Sequence, residues 1–152
     1  MKKFSGQALV EAVVAFAIVM VVLVALLQLS GRSISNSGES SRQAVATNYA
    51  TEGLQWVKNQ RLNLIWNDFE AKCGTIPCTA SNLCLNVLSW AADCVTDPQI
   101  SGTEYDRRLE LVGAMVGVAP NTRAQLTATV TVRWIEAGRT VTAKQTSVFV
   151  ER

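Results

Sequence analysis

The sequence predicts an α+β protein, in which a long N-terminal hydrophobic α-helix serves as membrane anchor and spine and packs on a small C-terminal antiparallel β-sheet. Three observations carry this prediction. Residues 12–27 are all apolar, helical periodicity runs through residues 42–58, and apolar and polar residues alternate in the last third of the chain. The chain has 152 residues. About 100 residues therefore remain outside the N-terminal segment, enough for one modest core.

The apolar segment is long enough to cross a membrane. No charge occurs among the 20 residues between Glu11 and Arg32. As a helix they would rise about 30 Å, the thickness of the hydrocarbon core of a bilayer. Lys2 and Lys3 precede the segment, which favours an N-terminus in the cytoplasm and a C-terminal part outside. A cleaved secretory signal is the alternative, but its apolar run usually has only about 7–15 residues.

The region after the apolar segment allows two interpretations. Residues 30–41 contain six serines and two glycines, which are weak helix formers, so this stretch is either a linker or the exposed middle of a long helix. Helical periodicity then returns in residues 42–58, where two apolar stripes lie side by side. The stripes are Val45, Tyr49, Gly53 and Trp56, and Ala46, Ala50, Leu54 and Val57. So wide an apolar face predicts packing against a sheet.

Four cysteines lie within 22 residues of an irregular region, residues 59–104. An even number behind an export-like N-terminus predicts two disulfides in an oxidising compartment. Three pairings are possible, and the local one closes the shortest loops and is slightly favoured. It joins Cys73 to Cys78 and Cys84 to Cys94. A zinc site is disfavoured, because the CxxC spacing and any histidine are missing.

The last third of the chain predicts a meander of about three antiparallel strands. Apolar and polar residues alternate in residues 105–112 and, more clearly, in residues 126–135. Residues 136–139 have the composition of a turn, and alternation resumes in residues 140–150. Such a sheet would cover one face of the preceding helix.

The composition argues against an enzyme. The chain has no histidine, the commonest general base and metal ligand. It also lacks a phosphate-binding glycine loop and the serine-hydrolase and zinc-protease motifs. Four carboxylates near residue 100 have no EF-hand spacing and predict a solvated polar loop: Asp93, Asp97, Glu104 and Asp106. We expect no cofactor and no metal, and a net charge of +2 does not point to nucleic acid.

One short motif is more specific. Gly6 ends a basic leader, Glu11 is the fifth residue after it, and the apolar run follows. This arrangement resembles the class III signal of type IV prepilins and pseudopilins. The resemblance implies that a prepilin peptidase cuts between Gly6 and Gln7 and that the new N-terminus, Gln7, is methylated. In a filament of such subunits, Glu11 is expected to meet the N-terminal ammonium of a neighbouring subunit and to set the register of assembly. The alternative is that Glu11 lies at the membrane interface and reaches water. Gln7 stands where the family usually has Phe.

The resemblance divides the chain into five segments: 1–6 leader peptide, 7–31 transmembrane and polymerisation helix, 32–60 helix continuation, 61–104 disulfide-bearing loop region, and 105–152 antiparallel sheet. A type IV pilin-like minor pilin or pseudopilin of the I or V type is implied. Its expected partners are a prepilin peptidase, other pilin subunits and the lipid of the cytoplasmic membrane. The expected location is that membrane and then a cell-surface filament. Two alternatives remain open, a non-polymerising single-pass surface-anchored binding protein and a TadE-like pseudopilin.

Overall fold

The computed structural model describes residues 5–96, 98–119 and 121–151, and within the first helix it describes no side chains for residues 5–8 and 29–36. The first four residues of the predicted leader therefore lie outside the described residues. The chain divides into two compact units, Met1–Arg42 and Gln43–Arg152. The second unit is called the head below.

A single helix, α1, extends from Ser5 to Asn63. The serine-rich stretch is therefore helical and not a linker. Strong helix formers lie on both sides of it, and propagating an existing helix through weak formers is far less costly than starting a new one. Within α1, Leu9–Gln28 has a mean hydropathy of 3.0 and is 0% buried. By length and composition, this segment is able to span a membrane.

The head contains a four-stranded antiparallel sheet in the order β1-β2-β3-β4. Its strands are β1 Cys78–Cys84, β2 Asp106–Val116, β3 Arg123–Glu136 and β4 Arg139–Val150. A short helix, α2, spans Trp66–Glu70 and precedes the sheet. The three C-terminal strands were predicted from alternation, whereas β1 was not. Its sequence alternates poorly, and a bulge interrupts its pairing with β2 between Ala80 and Leu83.

The tight connection between β3 and β4 aligns the longest pair of strands. Glu136 pairs with Arg139 across two residues, Ala137 and Gly138, which have φ angles of 49° and 76°. Positive φ at both positions is the type I′ turn, whose twist matches that of antiparallel strands. The predicted turn at residues 136–139 is thus a two-residue hairpin loop, which places the even-numbered residues of β3 on the helix-facing side.

The core lies between α1 and that side of the sheet. The helix contributes one of the two predicted stripes, Ala46, Ala50, Leu54 and Val57, each 6% exposed or less. Small residues dominate the first half of this stripe, so the helix comes close to the strands. The sheet contributes large aliphatic residues and Trp134, and its buried members are Leu109, Leu111, Leu126, Val130, Val132 and Trp134. The other predicted stripe flanks this line, and its first residue, Val45, is 39% exposed.

Gly53 marks the closest approach of helix and sheet. A Cβ atom at this position would lie 3.0 Å from Arg107 Cδ, 3.0 Å from Val130 Cγ1 and 3.2 Å from Leu85 Cδ2. The side chain of Arg107 is held by several hydrogen bonds, so it cannot retreat freely. The space is therefore sized for glycine, although glycine is a poor helix former.

We expect Gly53→Ala to destabilise the head despite its better helix propensity. Alanine gains about 0.5–1 kcal/mol in a helix interior, but overpacking a tight core costs about 1–3 kcal/mol. Denaturant unfolding of the full-length chain in detergent, followed by tryptophan fluorescence, measures the balance. Gly38→Ala is the matched control, because nothing lies within 4 Å of a Cβ at that position. A stability gain at Gly53 equal to that at Gly38 would contradict the close approach.

Candidate functional site

The N-terminal part of α1 exposes apolar side chains on every side. Phe16 is 70% exposed, Val21 70% and Leu27 73%, and the whole segment Leu9–Gln28 lacks any buried share. A helix that is apolar all round is stable only where lipid or other apolar helices surround it. This segment therefore requires an apolar environment.

Glu11 is a single carboxylate within this apolar segment. It lies at the third position of Leu9–Gln28, its side chain is exposed, and Val10 and Val13 beside it are 61% and 60% exposed. A charge surrounded by hydrocarbon costs several kcal/mol unless it reaches water or an opposite charge. The position thus needs either an interfacial location or a cationic partner.

The other two residues of the predicted processing motif, Gly6 and Gln7, lie in the first turn of α1. The side chain of Gln7 lies outside the described residues. Four residues separate Gln7 from Glu11, which corresponds to about 6 Å along a helix axis. The cleavage and methylation expected at Gly6 and Gln7 remain predictions.

Both disulfides join neighbouring cysteines. Cys73 bonds to Cys78 and Cys84 bonds to Cys94, across 5 and 10 residues. This is the local pairing that the spacing slightly favoured. Cys78 and Cys84 begin and end β1, so each disulfide ties one end of this weak strand to an adjoining loop. Cross-links of this kind offset the small core of a short domain.

Asn86 connects the second disulfide to the start of β2. Its side-chain oxygen accepts a hydrogen bond from the backbone N–H of Arg107 at 2.5 Å, and its Nδ2 donates to Asp106 Oδ1 at 3.3 Å. Its Nδ2 also lies 3.6 Å from the sulfur of Cys94. Asn86 is only 5% exposed, and these contacts satisfy both ends of its amide.

Arg107 is a buried cation that sequence reasoning did not single out. It is 2% exposed and donates to the carbonyl oxygens of Leu85 at 2.9 Å and Tyr49 at 3.0 Å. It also donates to the Glu52 carboxylate at 2.7 Å. The alternation of β2 had placed Arg107 on the same face as Leu109 and Leu111. Arg107 therefore stands at a position where the alternation predicts a core-facing side chain, and this was the sequence feature that could have identified it as buried.

Asp106 forms an ion-pair cluster on the opposite face of the sheet. It accepts hydrogen bonds from Arg108 Nε at 2.9 Å and Arg133 Nε at 3.1 Å, and Arg133 Nη2 forms a further contact. Burial raises the pKa of Asp106, but the hydrogen bonds and charges of Arg133 and Arg108 together outweigh it. The pKa of Asp106 therefore lies below its ordinary value.

The carboxylates near residue 100 do not converge in the described part of the head. Asp93 and Glu104 are exposed, Asp106 is engaged by arginines, and Asp97 lies outside the described residues. Within residues 5–96, 98–119 and 121–151, no three His, Cys, Asp or Glu side chains form a group that could hold a metal ion.

Comparison of the chain with protein-family models, with curated proteins and with solved structures returned no match. The assignment of a function therefore depends on the chemistry of the residues described above, and above all on the exposed apolar helix with its carboxylate.

We expect the contribution of Asp106 to stability to disappear in acid. Its folded pKa is lowered, so the stabilisation is complete above the unfolded value of about 4 and is lost as the pH falls through the folded pKa. Asp106→Asn should cost about 1–2 kcal/mol at pH 7, and the difference from the wild type should shrink below pH ~4. Melting curves from pH 7 to pH 2 measure this difference. Glu110→Gln, an exposed carboxylate on the same strand, is the control, and a pH-independent deficit at Asp106 would refute the ion-pair explanation.

Proposed function

We propose that this chain is a prepilin-like structural subunit, a minor pilin or pseudopilin, of a type IV pilus or a type II secretion-like filament. A prepilin peptidase would remove residues 1–6 on the cytoplasmic face. The subunit would wait in the cytoplasmic membrane and then pass into a filament. The observation that carries the proposal is Glu11, one carboxylate near the start of an exposed 20-residue apolar helix and five positions after Gly6.

The apolar helix has two suitable environments in this proposal. Before assembly, lipid surrounds Leu9–Gln28, whose length matches a bilayer. After assembly, the same helices of neighbouring subunits surround it. Both environments are apolar, so moving the segment from lipid into the filament changes the solvation free energy of its side chains little.

Glu11 favours the filament over the membrane as the location of the subunit. In lipid its charge is a penalty, because hydrocarbon provides no partner. In a bundle of cleaved subunits the protonated N-terminus of a neighbouring Gln7 would provide one. A buried ion pair adds little net stability, but leaving one of its members unpaired costs about 3–5 kcal/mol. The pair would therefore select one register among the many that a smooth apolar helix allows, as a polar residue does in a coiled coil.

The head fits an exported position. Two disulfides cross-link it, and disulfides persist outside the reducing cytoplasm. Lys2 and Lys3, known from the sequence alone, favour a cytoplasmic N-terminus. An orientation with the head outside satisfies both conditions.

Processing is the first test. When the full-length chain is co-expressed with a prepilin peptidase, intact-mass measurement should show loss of residues 1–6. Gly6→Val should abolish this cleavage, since a side chain at the cleaved position blocks the site. Gly38→Ala, a glycine change further along α1, should be cleaved normally. An unshortened wild type beside an active peptidase would refute the prepilin function.

Glu11→Val separates membrane insertion from assembly. Insertion should persist, because removing a carboxylate from the apolar segment relieves at most about 2–3 kcal/mol of penalty. Cleavage after Gly6 should also persist. The amount of protein in a sheared-filament fraction should drop sharply, because the neighbouring ammonium loses its partner. Cell fractionation and shearing of the wild type and the variant measure both properties.

Glu39→Gln is the control for this experiment, as it removes an exposed carboxylate of α1 outside the apolar segment. It should assemble normally. Equal amounts of wild type and Glu11→Val in the sheared fraction would eliminate the register role. Absence of the wild type from that fraction, while the other pilins of the host assemble, would favour a plain surface anchor.

A further inference from the structure

A cavity of about 570 Å³ lies where the last turns of α1 meet the end of β4 in the head. Leu62, Phe149 and Val150 provide apolar lining. Leu62 is 82% exposed and Val150 41%, so hydrocarbon faces water here. Such a concave apolar surface is typical of a site that another molecule covers.

The backbone beside the cavity is also uncovered. β4 is an edge strand of the sheet. Glu136 pairs with Arg139, and Glu151 N–H donates to Ala124 O at 2.9 Å, so the odd-numbered residues of β4 direct their backbone groups toward β3. Val148 and Val150, which line the cavity, therefore direct N–H and C=O groups outward, where an incoming chain can bond to them.

The rim of the cavity is basic. Lys58, Arg61 and Arg123 line it together with a single described acid, Glu151. Arg61 is held in place, since its guanidinium lies 5.0 Å from the ring centroid of Trp66 and donates to the carbonyl of Leu64. Lys58 and Arg123 are exposed, and neither has an ion-pair partner among the described residues. This excess of positive charge favours an acidic partner with some apolar surface.

The head carries a surface with the opposite properties. No Lys or Arg occurs in residues 73–105, whereas Asp93, Asp97 and Glu104 do. Asp93 and Glu104 are exposed, and Val95 between them is 88% exposed. We call residues 93–104 the acidic loop. It offers the exposed carboxylates of Asp93 and Glu104 and the exposed aliphatic side chain of Val95, properties complementary to those of the cavity.

No described residue of the acidic loop lines the cavity, so the two surfaces do not meet within one molecule. The acidic loop leads into Asp106, which pairs with Arg133 near the end of β3. The cavity lies at Arg123, where β3 begins, so its lining comes from a different part of the head.

We propose that the basic cavity of one copy of this chain binds the acidic loop of a second copy. The contact is heterologous, because each copy contributes its cavity to one neighbour and its acidic loop to another. Such heterologous contacts need not close on themselves and can repeat in a line. The inference rests on the proposed function, to which it adds the contact between heads along the filament.

Zero-length cross-linking tests the contact directly. Full-length chains in detergent, half of them labelled with ¹⁵N, are mixed at low ionic strength and treated with a carbodiimide, which joins a lysine amine to a carboxylate in contact. Mass spectrometry should find mixed-isotope peptides that join Lys58 to residues of the acidic loop. Lys144, exposed on the same strand as the cavity residues of β4, is the control and should give none. Mixed-isotope links from Lys58 that are absent, or that lead to other carboxylates, would overturn the proposal.

Charge reversal is the second test of the contact. Arg123→Glu, which leaves the Lys58 amine available to the reagent, and separately Asp93→Lys, which leaves the Glu104 carboxylate available, should each lower mixed-isotope cross-linking among identical copies severalfold, because attraction becomes repulsion. Mixing the two variants should restore it, since one retains the cavity and the other retains the loop. Both side chains are exposed, so the head should stay folded, and near-UV circular dichroism checks this. Unchanged cross-linking in folded single-surface variants would refute the contact.

The outcomes also separate this inference from the function on which it rests. A chain that is cleaved and recovered in sheared filaments but shows no Lys58 cross-link refutes the head contact alone. A chain that prepilin peptidase leaves intact, yet cross-links through Lys58 as described, refutes the filament function and retains the contact between copies.

Discussion

The packing of the head depends on how one buried cation is satisfied. The Arg107 guanidinium is 2% exposed, and a buried charge is tolerated only when its hydrogen bonds are made. Its acceptors come from one turn of α1, through Tyr49 and Glu52, and from the loop after β1, through Leu85. Helix, loop and strand must therefore adopt their positions together. Gly53 belongs to the same constraint, because its missing side chain leaves the space that the arginine occupies.

Arg107 and its neighbour Asp106 also fix the irregular region before β2. Asn86 accepts the backbone N–H of Arg107 and donates to Asp106, while Cys94 is tied by its disulfide to Cys84 at the end of β1. The loop thus has little regular structure of its own, yet both of its ends are fixed. Asp93 and Glu104 are therefore held on the head between fixed points, which is what a repeating contact between heads requires.

The head and the apolar segment differ in what covers their apolar side chains. The head packs a small core between helix and sheet, and two disulfides support it. The apolar segment Leu9–Gln28 seals nothing by itself, so its stability must come from lipid or from other helices. In the proposed filament the second unit provides specific contacts through charge, whereas the apolar segment contributes cohesion and, through Glu11, register.

The sequence by itself determined those helices and strands whose side chains are consistently apolar on the buried or lipid-facing side. The apolar helix and the three C-terminal strands follow from side-chain patterns that repeat every turn or every second residue, and the turn at residues 136–139 follows from its composition. Only the tertiary structure decided that β1 is a strand, that the serine-rich stretch stays helical, that the cysteines pair locally and that Arg107 lies inside. The serine-rich helix and the disulfides are local features for which the sequence left more than one outcome open. The strand β1 and the burial of Arg107 instead arise from contacts between segments distant in sequence, such as Tyr49 and Arg107, which are 58 positions apart. Their energy exists only when the segments meet, and no local pattern encodes it.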